Sequence, residues 1–414
     1  MIKKLVIVLL GAAGLCLATS YLFNLPFDFN SGSKALYPAS ASPDQIILTV
    51  SADPAHGQTI NWRASGDVEQ GAVQYRIKGD DKILQESAHC LRLTTPWLLN
   101  DPVNCRFSVT LNNLEPDTSY QYRVGSGEKW SDFYEFRTAP QRQAAFSFTY
   151  WGDIQEGVPE TVAALNSLLS KHPQAAFCMI GGDFLGEGSD RNAWDELFSS
   201  STIFSYKFLA PAVGNHDLGP MEPGQPLMYF AYFALPANGP STLPQGHAYS
   251  FTYGNAYFIV LDSECKVAIE NQWLESELQK AAGYDWKIVM FHHSVFDVAT
   301  RRGDGKTDTL INWVPLFDKY QVDLVLTGHD HSYLRTEKMQ NNASSADGQG
   351  TIYVMANAGS KHYDFKEKAF AALQLKNIST YQLIDIYYDM GKPCLRYRAY
   401  DFNSRVMDEL VLHK

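Results

Sequence analysis

Five short apolar runs, each ending in a cluster of metal-type polar residues, constrain this chain more than any other feature. Residues 146–150 lead into Trp151-Gly152-Asp153-Ile154-Gln155, and residues 175–180 into Gly181-Gly182-Asp183-Phe184. Residues 208–213 run into Gly214-Asn215-His216-Asp217, residues 288–291 into His292-His293, and residues 322–326 into Thr327-Gly328-His329-Asp330-His331. Apolar runs of this length, bounded by glycine and polar residues, read as buried strands. In an open α/β sheet the carboxyl ends of such strands converge, and ligands bind in the crevice outside them. Core packing gives no reason to put aspartate, asparagine and histidine at five strand ends. A pair of divalent cations ~3.5–4 Å apart needs a shared carboxylate with separate oxygen and nitrogen donors on each side. The five ends supply such a set.

Helical periodicity fills the gaps at 159–169, 191–198, 270–282 and 308–320, so residues 144–414 read as an α/β domain. Strands at 351–355, 381–388 and 395–400 are expected to form a second sheet behind the first. Residues 44–139 read differently. Short alternating runs at 45–50, 59–63, 72–76, 106–111, 120–124 and 133–137 are separated by Gly, Pro, Asn and Asp. That spacing predicts an all-β sandwich of the immunoglobulin or fibronectin type III kind. The polar stretch 140–143 marks the boundary between the two domains.

A net charge of −11 argues against a polyanionic scaffold such as nucleic acid as partner, though a small anionic substrate remains compatible. Lys3 and Lys4 precede a nearly uninterrupted apolar run, so residues 1–23 read as a signal peptide or signal anchor, followed by a linker at 24–43. A cut near Ala18 or Ser20 and an uncleaved span of ~20 residues are both open. Leu15 before Cys16 is too large for a lipoprotein cleavage site. The bulk of the chain is expected outside the membrane it crosses, in a periplasm, in the medium or anchored facing outward. There Cys90 and Cys105 can bridge adjacent strands, while Cys265 and Cys394 either pair or stay free.

The five motifs in this order resemble the calcineurin-like metallophosphoesterases, and the purple acid phosphatase branch in particular. The stretch 313–320 running into Gly328-His329-Asp330-His331-Ser332-Tyr333 and the run 350–354 are close to that branch. The resemblance implies a four-layer α/β/β/α domain behind the fibronectin type III-like one. It also implies two divalent or mixed-valence ions of Fe, Mn or Zn. Asp183 would bridge them, Asp153 and His331 would complete one site, and Asn215, His292 and His329 the other. Hydroxide held on the ions would attack a phosphomonoester. His216 would face the phosphate or leaving group, with Asp217 orienting its ring from behind. Arg301 and Arg302 fall where the branch carries phosphate-contacting histidines, and His293 adjoins a ligand; these three are candidate substrate contacts.

Two departures stand out. The purple branch carries Gly-Asp-x-x-Tyr, whereas this chain has Gly182-Asp183-Phe184-Leu185-Gly186 and lacks the iron-binding tyrosine. Gln155 stands where the purple branch usually has glycine and other branches have histidine, and its carbonyl oxygen is a further candidate ligand. Two alternatives remain: a phosphodiesterase or nucleotide hydrolase with the same site, and a surface protein that binds through its sandwich with a weakened metal site.

Overall fold

The computed structural model describes residues 33–218, 227–300, 307–345 and 348–414. The export segment 1–23, the first part of the linker, Arg301 and Arg302 lie outside the described residues. Among the described residues no helix is long and apolar enough to cross a membrane.

The N-terminal region contains β1 (Asp44–Thr49), β2 (Gln58–Ser65), β3 (Gly71–Ile77), β4 (Leu84–Thr94), β5 (Val103–Leu111), β6 (Ser119–Ser126), β7 (Lys129–Trp130) and β8 (Tyr134–Arg137). Its core is aromatic: Trp62 stacks on Phe107 at 5.3 Å and Tyr120 on Phe136 at 5.4 Å. The Tyr120 hydroxyl accepts the Glu115 backbone N–H at 2.8 Å, tying the turn at 114–120 to the strand that follows it. Strand β4 escapes sequence reading because most of its side chains are exposed, so no apolar alternation marks it. It passes from one sheet of the sandwich to the other, pairing Ala88 with Gly71 on β3 and His89 with Ser108 on β5. Cys90 and Cys105 sit on β4 and β5 as free thiols, opposite Phe107 and Arg92. Burial and the neighbouring Cys105 thiol push Cys90 up to about 12. Cys265 and Cys394 are also free.

Beyond residue 143 come β9 (Phe146–Trp151), β10 (Ala175–Ile180), β11 (Phe208–Pro211), β12 (Tyr249–Tyr253), β13 (Ala256–Val260), β14 (Trp286–Met290) and β15 (Leu324–Thr327). They are followed by β16 (Tyr333–Thr336), the small hairpin β17 (Met339–Gln340) and β18 (Ala343–Ser344), β19 (Ile352–Met355), β20 (Ala371–Leu375), β21 (Thr380–Asp389), β22 (Lys392–Asp401) and β23 (Val406–His413). Strands β9, β10 and β11 are parallel and almost wholly buried, which is why they read as unbroken apolar runs. A second sheet has the order β12-β13-β14-β15-β19-β16-β20. The two sheets pack through aromatic side chains, with Phe258 edge-on to Phe148 at 5.3 Å and to Phe177 at 5.5 Å. Buried faces of Val158–Lys171 and Arg191–Ser199 cover the first sheet, and those of Asn271–Lys280 and Val314–Tyr320 cover the second. The periodic stretch 308–320 breaks at Trp313, where Val314-Pro315 begins a new helix.

The strands after residue 350 do not form a sheet of their own. Strand β19 enters the second sheet beside β15, whereas β21, β22 and β23 extend the first sheet antiparallel from β9. Without β21 the buried strand β9 would present an unpaired edge, which is costly for a strand this apolar.

The two domains share a sheet. Strand β1 pairs in parallel with β11 through Thr49 and Leu209, and Val50 N–H donates to the Leu209 carbonyl at 2.9 Å. One 14-stranded sheet therefore runs from β23 through β11 and β1 into the sandwich. Beside this seam lies a buried ionic cluster. Asp195 meets Arg63 at 2.9 Å, Arg106 at 2.8 Å and Arg191 at 3.2 Å. Asp44 pairs with Arg63 at 2.6 Å, and Asp101 pairs with Arg191. The Tyr232 hydroxyl donates to Asp195 at 2.6 Å while its ring lies 3.6 Å beneath the Arg106 guanidinium.

Candidate metal centre

Strands β9, β10, β11, β14 and β15 deliver their carboxyl ends to one place, and an isolated bridge between Asp153 and Asn357 joins the two sheets there. Donor atoms of Asp183, His292 and His329 lie within 4.8 Å of one another, and so do those of Asp153, Asp183 and His331. Asp183 belongs to both groups. All five side chains are buried.

Local backbone makes this convergence possible. Asp183, His329 and His331 adopt φ values of 53°, 73° and 42°, in the left-handed region that non-glycine residues seldom occupy. Strain of that kind persists where surrounding structure holds it for function. A side chain at Gly214 would collide with the Asp183 carboxylate, and one at Gly328 with that of Asp153. Glycine at those two positions lets the loops close over the carboxylates.

Two of the three imidazoles are oriented by the nitrogen that faces away from the cluster. His292 Nδ1 bonds the Gly181 carbonyl at 2.8 Å, leaving Nε2 at 3.2 Å from Asp183, 3.2 Å from Asn215 Oδ1 and 3.1 Å from His329 Nδ1. His331 Nδ1 bonds the Lys361 carbonyl at 3.1 Å, turning Nε2 to within 3.1 Å of Asp153 Oδ2. A carbonyl on one ring nitrogen fixes tautomer and orientation in metal-binding histidines. Asp153 Oδ1 accepts the His329 backbone N–H at 2.6 Å, and Asp183 Oδ1 that of His216 at 2.7 Å.

The charge balance is uneven. Burial alone would lower His292, yet the Asp183 and Asp153 carboxylates hold it well above the usual imidazole range. Burial would raise Asp153, but His292 and His331 keep it below the ordinary carboxylate value. An imidazole held charged by two buried carboxylates marks a negative potential that a cation would also answer. Gln155 Oε1 is buried with no hydrogen-bond donor, and Asp153 Oδ2 has only the His331 ring nitrogen beside it. The donor set, its shared carboxylate and these under-satisfied oxygens fit two cations.

Gln155 reaches the cluster amide-first. Its Nε2 lies 3.1 Å from Asp183 Oδ2 and 2.9 Å from His331 Nε2. Turning the amide over would aim Oε1 at those same acceptors, an arrangement favourable only with a cation between them. Gly186, at the position of the missing tyrosine, has open space where a side chain would start. Phe184 instead points into the core, 5.1 Å from the Phe233 ring.

One expected role is corrected. Asp217 does not orient His216. Its carboxylate accepts backbone N–H groups of Asp183, Gly214 and Phe184 at 2.9, 2.9 and 3.0 Å, pinning two motif loops together. Burial and the Asp183 charge push it up to about 8. The partner of His216 Nδ1 is the Gly186 carbonyl at 2.8 Å. His293 joins neither donor group; its ring lies 4.1 Å from that of His329, and Nδ1 is 3.0 Å from Glu264.

Sequence reading missed Asp330, whose buried carboxylate accepts the N–H groups of Val298 and Ala299 at 3.0 and 3.3 Å and so anchors the loop beyond His293. Its place between two ligand candidates was the available signal. It also missed Asn357, which no motif marks.

Residues 43–138 match the purple acid phosphatase N-terminal domain, and residues 146–333 match the calcineurin-like phosphoesterase family. An uncharacterized protein of Mycobacterium tuberculosis is 29% identical over 56% of this chain and 50% of its own length. The chain thus spans about half the length of that curated relative. The Fe(3+)-Zn(2+) purple acid phosphatase 12 of Arabidopsis thaliana is 25% identical over 82% of this chain and 80% of its own. The structure of purple acid phosphatase PPD1 from yellow lupin (Lupinus luteus) seeds shares the fold, with a TM-score of 0.75 and 17% identity over 90% of this chain and 74% of that one. The chain thus carries a purple acid phosphatase N-terminal domain followed by a calcineurin-like phosphoesterase domain, and is purple acid phosphatase-like in both.

Proposed function

We propose that this chain is an exported hydrolase of phosphomonoesters working at a two-cation centre. The observation that carries the reading is the pair of buried donor groups sharing Asp183. Asp183 would be shared by the two positions, with Asp153, His331 and Gln155 holding one ion and Asn215, His292 and His329 the other. Cations bound there would neutralise phosphate charge and acidify water. Without a tyrosine, the oxygen and nitrogen donors suit Mn, Zn or Fe(II) rather than a coloured ferric site.

The remaining side chains position substrate. His216 is fixed through Nδ1 on Gly186, which frees Nε2 to hold the phosphate or to pass a proton to the departing oxygen. Asp217 keeps the loops of Asp183 and His216 at fixed separation. His293, Arg301 and Arg302 are assigned to the outer phosphate oxygens, where guanidinium forks match phosphate geometry. The apolar run within 1–23 supports export, by cleavage or as an anchor.

The test joins elemental analysis with two chromogenic substrates. Protein reconstituted with Mn, Zn or Fe should hold two ions per chain and turn over 4-nitrophenyl phosphate faster than bis(4-nitrophenyl) phosphate. Faster turnover of the diester would replace the monoester reading. Absence of both metal and turnover would leave the sandwich as a binding module.

A further inference from the structure

We propose that one face of the sandwich, built from residues 33–37 and 97–99, rests on a lipid bilayer. Ser33 bridges Leu98 in parallel, and the Leu99 N–H donates to the Ser33 carbonyl at 3.1 Å. The bridge stands alone between turns, and those turns sort the side chains. Ala35 and Leu98 point inward, at 5% and 2% exposure, while Leu36, Trp97 and Leu99 point outward at 69%, 50% and 67%. Tyr37 adds a fourth exposed side chain at the rim. Of the eight tryptophans Trp97 alone is an exposed one. Large apolar side chains gathered this way mark an interaction surface. Tryptophan and tyrosine at its rim suit the headgroup level of a membrane.

The sequence upstream singles out the occupant. Residues 24–32 separate the apolar run ending at Phe23 from Ser33. Nine residues reach at most about 30 Å. A run inserted in a bilayer therefore keeps this face within that distance of the lipid. Lys34 is the one cation among residues 33–37 and 97–99, and the whole chain carries −11, so attraction to anionic lipid is not the driving force. Apolar insertion is. The face is also tied to the α/β domain: Leu36 N–H bonds Asn192 Oδ1 at 2.9 Å, on the helix Arg191–Ser199. Seated on lipid, it would fix how that domain is oriented above the surface.

Full-length protein reconstituted in phosphatidylcholine vesicles tests this, with acyl-brominated phosphatidylcholine as quencher. Parent emission should fall in brominated vesicles, Trp97→Phe should abolish most of that fall, and a Leu36→Ser/Leu99→Ser variant should reduce it at least threefold. Thermal unfolding and 4-nitrophenyl phosphate turnover in detergent should match the parent in both variants, which separates lost docking from lost fold. Replacing a fifth of the lipid with phosphatidylglycerol should change the quenching little. Equal emission in brominated and plain vesicles would overturn the proposal. So would a stable solution dimer that dissociates in the double-serine variant, since a second copy would then own the face. Neither outcome bears on hydrolysis.

Discussion

Two buried polar clusters in this molecule have opposite balances. At the domain seam, three guanidinium groups from Arg63, Arg106 and Arg191 meet three carboxylates from Asp44, Asp101 and Asp195. At the strand ends, Asp153, Asp183 and Asp217 crowd together with His292 and His331, whose outer nitrogens are already committed to backbone carbonyls, and with His329. The seam is complete as folded. The strand-end cluster holds more negative charge than its own chain can answer. Burial of charge is tolerable only when paired, so one cluster reads as architecture and the other as a receptor for cations.

Replacing the shared carboxylate should break the comparison most sharply. Asp183→Asn is expected to lower phosphomonoester turnover by at least about 100-fold, more than loss of a supporting contact costs, with bound metal falling in elemental analysis. Full metal retention in that variant would remove the bridging role. At the seam the expected loss is of stability instead. Asp195→Ala takes from the buried Arg106 its one carboxylate partner at the seam and from Arg63 and Arg191 one of two, and should cost about 3–5 kcal/mol in denaturant unfolding, with the folded fraction keeping its metal. Burial would raise Asp195, but Arg106 and Arg63 hold it below its ordinary value. Its stabilisation is therefore complete above the ordinary carboxylate value of about 3.9 and is lost as pH falls through the lower folded value. The stability gap between parent and Asp195→Asn should shrink only in that acid range.

Finer changes sharpen the contrast. His216→Ala should slow turnover by about 10²-fold, the scale of a lost general acid, while metal content stays at the parental level. A parallel loss of metal would make His216 a ligand. Gln155→Ala should weaken binding of one ion by about 10-fold, measured by competition with a chromogenic chelator; unchanged affinity would leave Gln155 as a hydrogen-bonding neighbour.

Most of this centre was legible because its residues follow parallel strands, whose burial leaves long apolar runs that stop at the polar end. Asp153, Asp183, His292, His329 and His331 all announce themselves that way. Asp217 was misread because its motif adjacency to His216 suggests contact, whereas the turn at Gly214 to Asp217 sends its carboxylate back toward Gly214 and Asp183. Strand β4 was illegible because exposed strands carry no apolar signature. The ionic seam was illegible for another reason: Arg63, Arg106 and Asp195 lie far apart in sequence, and each alone looks like an ordinary surface charge.

The hydrogen bond from Val50 to Leu209 has a practical consequence for anyone cutting this protein apart. Removing everything before residue 144 would strip β11 of its neighbour and leave an apolar strand with a free border, the kind that recruits strands from other molecules. An isolated α/β half should therefore self-associate, and the sandwich acts as the sheet's built-in stopper.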